Sequence, residues 1–195
     1  MLNDLKSAVR PALVLTLLFA ALLGIAYPLA LTGAGQLLFP AEANGSLIRD
    51  GERVIGSELI GQTFSGDRYF HGRPSAAGAG GYDAAASAGS NLGPASQALA
   101  DRVKADVATL SETTPGRPVP PDLVTTSASG LDPHIGPEAA FYQVARVAGA
   151  RGLPESTVRG LVDAAVERPA FGFLGEPRVN VLRLNRSLDA RPAAR

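Results

Sequence analysis

The chain has 195 residues, 46% of them apolar and 18% charged, and its 18 basic and 18 acidic residues cancel. A zero net charge provides no basic field for nucleic acid. The absence of cysteine excludes a disulfide framework, a thiolate nucleophile and a cysteine-type zinc site.

No charged residue occurs from Pro11 to Ala41. Within that stretch Pro11–Leu31 reads PALVLTLLFAALLGIAYPLAL, 21 residues whose only polar side chains are Thr16 and Tyr27. Wound as a helix at ~1.5 Å per residue, it matches the ~30 Å hydrocarbon core of a bilayer. A cleaved secretory signal has a shorter apolar run, about 7–15 residues, and a small-residue cleavage site. Here the run is longer and no such site follows, so an uncleaved anchor is expected. Pro28 should kink or end the helix. Lys6 and Arg10 precede the run and Glu42 is the first charge after it. This bias puts the N-terminus in the cytoplasm. The predicted division is 1–10 cytoplasmic, 11–31 transmembrane helix, 32–45 connector and 46–195 extracytoplasmic domain. Ala20 and Gly24 form a small-xxx-small pair through which a partner helix can approach closely.

After the anchor, Ser46–Ile55 places short apolar runs around Asp50-Gly51, a hairpin signal. Gly56–Pro94 is rich in Gly, Ser and Ala, and Phe64, Tyr69, Phe70 and Tyr82 are placed to anchor this irregular stretch to a core. Ser96 is the expected N-cap of a helix with Leu99, Val103, Val107 and Leu110 on one stripe. A Pro-rich linker, Pro115–Pro121, follows. One helix is predicted from Pro137 to Gly152, burying Ala140, Val144 and Val147. Another runs from about Pro154 to before Pro169, with Val158, Leu161 and Ala165 inward. Arg178–Asn185, RVNVLRLN, reads as a late strand. The order hairpin, loop, helices, strand implies a single α+β domain with a small sheet.

Catalytic chemistry finds little support. His71 and His134 are the only histidines, and a metal site completed by Asp132 or Glu138 is less expected than two hydrogen-bonding loop histidines. Ser129, Asp132 and His134 have the residue types of a nucleophilic triad but crowd into one loop. Gly78–Gly81 lacks the Lys-Ser/Thr of a phosphate-binding loop. Sixteen of the 18 basic residues are arginine, several beside turns, including Arg68, Arg73, Arg151 and Arg178. Their planar forks suit fixed hydrogen bonding and interfaces.

Six segments in order carry a resemblance: Val54–Gln62, Tyr69-Phe-His-Gly-Arg-Pro-Ser75, Tyr82-Asp83 running into Ser90-Asn-Leu-Gly-Pro94, Ser127-Ala-Ser-Gly-Leu-Asp-Pro-His-Ile135, Gln143-Val-Ala-Arg-Val147 and Arg178-Val-Asn-Val-Leu182. Together they resemble the C subunit of the Kdp potassium-transporting ATPase over nearly the whole chain. Departures are small: Ser87-Ala-Gly-Ser90 stands where the family has Ser-Gly-Gly-Ser, and Gly136 where it usually has Ser.

The resemblance implies an accessory, non-catalytic subunit of a pump in the bacterial inner membrane, single-pass, required for assembly and activity. Its implied partners are a K⁺-selective channel-like subunit, a P-type ATPase catalytic subunit and a small single-span subunit, besides membrane lipid. The family's C subunit is assigned a chaperone-like role that raises ATP affinity in the catalytic subunit, and the resemblance makes Gln143 a proposed nucleotide contact. The residues themselves point elsewhere. An extracytoplasmic domain meets no ATP, so no cofactor is expected to bind firmly and ATP enters only through the complex. Hydrogen bonding at a helix boundary is the plainer role for Gln143. His71, Arg73, Asn91, Asp132 and His134 are read as structural loop residues, with no catalytic residue and no metal ligand assigned. The alternative is a free-standing membrane-anchored hydrolase using Asp132, His134 and Glu138.

Overall fold

The computed structural model describes residues 2–191 and divides into two compact units, one ending at Leu47 and the other beginning at Ile48. The first unit is helical. Helix α1 (Leu2–Ala21), a π turn over Leu22–Ala26 and helix α2 (Tyr27–Leu38) run on as one rod. Its segment Lys6–Leu38, 33 residues, is long and apolar enough to cross a membrane by length and composition. The helix does not stop at Pro28. Proline has no N–H to give the carbonyl of Gly24, and its ring crowds that turn. The backbone widens just before it, with the Tyr27 N–H reaching back five residues to the Leu22 carbonyl. One wide turn thus absorbs the proline. The rod ends at Phe39, and a short helix α3 (Pro40–Ala43) follows. The Asn44 amide ties this corner, donating to Gln36 Oε1 at 2.9 Å and to the Pro40 carbonyl at 2.6 Å.

The second unit is α+β. Strands β1 (Leu47–Asp50) and β2 (Arg53–Ser57) pair as a two-stranded sheet across Gly51, whose φ of 59° is the positive value the turn needs. No regular element follows until helix α4 (Gln97–Thr113). Ser96 is extended there but makes no side-chain cap, and no α4 residue is fully buried: Leu99, Val103 and Leu110 are half-buried and Val107 is exposed. The stripe read from sequence as core-facing is therefore only half used.

The core forms further on. Strand β3 (His134–Ile135) leads into helix α5 (Pro137–Tyr142), helix α6 (Val144–Arg151) and helix α7 (Glu155–Ala165). Strands β4 (Val166–Glu167) and β5 (Arg178–Asn180) and helix α8 (Val181–Asp189) complete the unit. The strands form one antiparallel sheet in the order β3-β5-β4, with Ile135 and Val166 both opposite Val179. Phe70, Ile135, Val147, Val158, Val162 and Leu184 lie buried in a single apolar cluster with that sheet. Two expectations are corrected. The helix from Pro137 is two helices, broken at Gln143. Of RVNVLRLN only Arg178–Asn180 is strand, because the Asn180 side chain accepts from the Arg183 N–H at 3.1 Å and caps a helix. Val181, Leu184 and Leu188 then fall at helical spacing and are all buried.

Candidate functional site

The irregular stretch 58–96 is fastened by side-chain groups in place of strand partners. Two buried amides hold consecutive residues of Tyr69–Ser75. Asn185 accepts from the Phe70 N–H at 2.8 Å and donates to the Phe70 carbonyl at 2.9 Å. Gln143 accepts from the His71 N–H at 2.8 Å and donates to the His71 carbonyl at 3.1 Å. Each carboxamide copies the donor–acceptor pair of a neighbouring strand, which is how this backbone meets its hydrogen-bonding needs. Gln143 is only 3% exposed, and it also donates to the Ala139 carbonyl and accepts from Arg146 at 2.7 Å. Both donors and both acceptor positions of its amide are thus engaged. It sits at the break between α5 and α6, the helix boundary the sequence suggests.

Helix α6 adds arginines to the same task. Arg146 donates to the carbonyls of Asp67 (2.7 Å) and Tyr69 (3.1 Å). Arg151 donates to the Arg68 carbonyl at 2.6 Å, pairs with Asp189 at 2.8 Å and lies 4.9 Å from the centre of the Tyr69 ring. His71 is pushed below its ordinary value, first by burial and then by the Arg146 charge, while its Nε2 lies 3.1 Å from the Gly66 carbonyl.

The residues singled out in the later motif come together beside this segment. Arg73 bonds the Thr125 carbonyl and hydroxyl, both at 3.2 Å, and pairs with Asp132 at 3.4 Å. Asp132 accepts from the His134 N–H at 2.9 Å, and the His134 ring stands 3.6 Å away. Burial alone would raise the Asp132 carboxyl. The hydrogen bonds from His134 and the His134 and Arg73 charges outweigh that and hold it below the usual carboxylate range. Such a group is ionised and engaged near neutrality, poorly suited to accept a proton. Tyr82 completes the frame in a left-handed conformation (φ 56°), its hydroxyl on the Arg73 carbonyl at 2.7 Å and pushed to about 12, chiefly by burial. A Cβ on Gly61 would stand 2.3 Å from the Tyr82 ring, so glycine there is steric necessity. Asn91 is also left-handed (φ 54°), a conformation asparagine tolerates.

Arg73, Asp132 and His134 line a cleft of about 300 Å³ with Asp122, Glu176 and Arg178. The nucleophilic constellation is not assembled in it. Ser129 instead shares a neighbouring hollow of about 650 Å³ with Asp132 and His134, where its hydroxyl accepts from the Leu131 N–H at 3.1 Å. Glu138 lines an adjoining hollow that shares Asp122 and Glu176 with the cleft. Among the described residues no three His, Asp or Glu side chains are placed to hold a metal ion. In the first unit, Ala20 and Gly24 are exposed on the rod, and nothing lies within 4 Å of a Cβ built on Gly24.

Sequence reasoning misses Asn180 as a helix cap, Asn185, whose burial follows from a helix not foreseen, and the full reach of Arg146. The i, i+3 spacing of Gln143 and Arg146 was the available signal. A family model described as K⁺-transporting ATPase, c chain, matches residues 9–190. The chain is 61% identical to the potassium-transporting ATPase KdpC subunit of Caulobacter vibrioides, covering 95% of this chain and 94% of the relative. It is 58% identical to that of Methylobacterium nodulans (92% and 95% covered) and 57% identical to that of Methylorubrum extorquens (95% and 96%).

Proposed function

The chain belongs to the KdpC family, the C subunits of K⁺-transporting ATPases, and from that premise we propose that it is a non-catalytic docking subunit held by a single membrane span. The observation that carries this reading is the closed hydrogen bonding of the site. The side chains of Arg73, Asp132 and Gln143 are each hydrogen-bonded to the protein's own backbone or to one another, and the His134 ring lies 3.6 Å from the Asp132 carboxylate. Groups so engaged fix a loop surface; they do not stand ready for a substrate.

In this reading the N-terminus is cytoplasmic, Lys6 and Arg10 being its retaining charges, and the α+β unit is extracytoplasmic. Its partners are the K⁺-selective channel-like subunit, the P-type catalytic subunit and the small single-span subunit. Ala20 and Gly24 offer the rod's close-approach face to a partner helix. Gln143 serves as a structural clamp, and any effect on ATP affinity is indirect. A coupling of ~1–3 kcal/mol requires only that the subunit bind two pump states unequally.

External protease on spheroplasts tests the orientation. The expected result is removal of the α+β unit with the anchor spared. Protection until the membrane is permeabilised would place the unit in the cytoplasm and make direct ATP contact tenable.

A further inference from the structure

The connection between β4 and β5 carries the two most exposed large apolar side chains of the second unit, Phe171 (89%) and Phe173 (80%), with Leu174 (62%) beside them. They form a tip. Ala170 bridges to Leu174, closing a tight turn whose two phenylalanine rings stand 6.5 Å apart. Phe171 has a φ of 55°. For a bulky residue this is a true outlier, and strain of that kind persists where something outside the local sequence calls for it. Among the described residues nothing covers the tip, so the fold gains little burial from holding two aromatics there. Exposed apolar clusters of this kind mark interaction sites.

The base of the tip indicates what covers it. Glu167 pairs with Arg178 at 2.9 Å and with Arg183 at 3.6 Å, and Arg183 also pairs with Glu58. Adding Arg168 and Glu176 from the loop itself, the collar holds three acidic and three basic residues and is electrically neutral. A loop built to enter an anionic bilayer surface would carry a basic surplus. An apolar centre with a charge-balanced polar rim is the anatomy of a protein interface, and aromatic anchors are its common hot spots.

We propose that the tip Phe171–Leu174 is a docking prong that seats in an apolar, charge-rimmed pocket on another subunit of the same ATPase. This rests on the reading of the chain as a working pump subunit. The chain holds no tryptophan, so F173W supplies a reporter, with the complex of the unsubstituted chain as the blank. Emission and acrylamide quenching are measured in the assembled complex and in the full chain alone in vesicles containing anionic phospholipid. The expected result is a blue shift and at least a threefold loss of quenching in the complex, with neither in vesicles. Shielding in vesicles without the other subunits would give the prong to lipid, and an accessible reporter in the complex would leave it free; either overturns the proposal. A second arm uses the double variant Phe171→Ser, Phe173→Ser. Recovery of the complex in detergent should fall severalfold at an unchanged amount of chain in the membrane, and full recovery would overturn the proposal. Failure of the pump reading looks different, since the unsubstituted chain would then not co-purify with the other subunits at all.

Discussion

At Asp132 a structural and a catalytic role make different demands on the same carboxylate. Asp132→Asn retains an oxygen for the His134 N–H and loses a long, partly buried pair with Arg73 (3.4 Å), which costs about 1 kcal/mol or less. Asp132→Ala leaves that N–H without an acceptor and costs ~1 kcal/mol or more. ATP-driven K⁺ transport should therefore survive in the Asn variant. Loss of transport in both variants with the complex intact would sink the docking role. His71 gives a second residue-scale expectation. Its folded value is lowered by burial and by Arg146, so the unfolded chain takes up a proton first as pH falls below about 6.5. Stability is then complete above that pH and is lost on descending toward the folded value. The thermal midpoint should drop more between pH 7 and 5 in the parent than in His71→Gln; equal drops would assign the dependence to other groups. The sequence singles out Arg73, Asp132 and His134 as structural loop residues without joining Arg73 to the other two. The partners of these residues were not legible, because Thr125 and Tyr82 meet them only through tertiary folding.

Among the elements, those written in local chemistry were read well: the hairpin at Asp50-Gly51, the helix of Val158 and the Gly152 stop, where a φ of 65° ends α6. Elements decided by one side chain's choice of partner were not. Asn180 turns a strand into a helix by capping, and Gln143 divides a helix by bonding to a segment 72 residues away. Ser96 had the right type for a cap and makes none. In the rod, Pro28 predicts a disturbance, but its resolution as a π turn depends on backbone adjustment that composition does not record. Gly24 lies within that turn. Gly24→Leu should leave insertion intact and lower recovery of the complex relative to the chain present in the membrane. Undiminished recovery would show that this face looks at lipid.

At the scale of the molecule, a long apolar rod and an α+β unit follow one another, a division legible from the loss of charge between Pro11 and Ala41. The aromatic anchors of the glycine- and alanine-rich stretch are legible, Phe70 being buried in the core as expected. Less legible is that amide and guanidinium groups at the α5–α6 break and on α6 and α8 supply its backbone partners. This has a kinetic consequence. The Phe70 and His71 N–H groups belong to no strand, yet each is donated at 2.8 Å to a buried carboxamide. In deuterium exchange they should be retained about as long as the amides of β5, while the surrounding turns equilibrate quickly. Gln143→Ala should release the His71 amide. Fast exchange at both positions in the parent would mean that the clamps open freely, and that the surface built on them is too yielding to be recognised by shape.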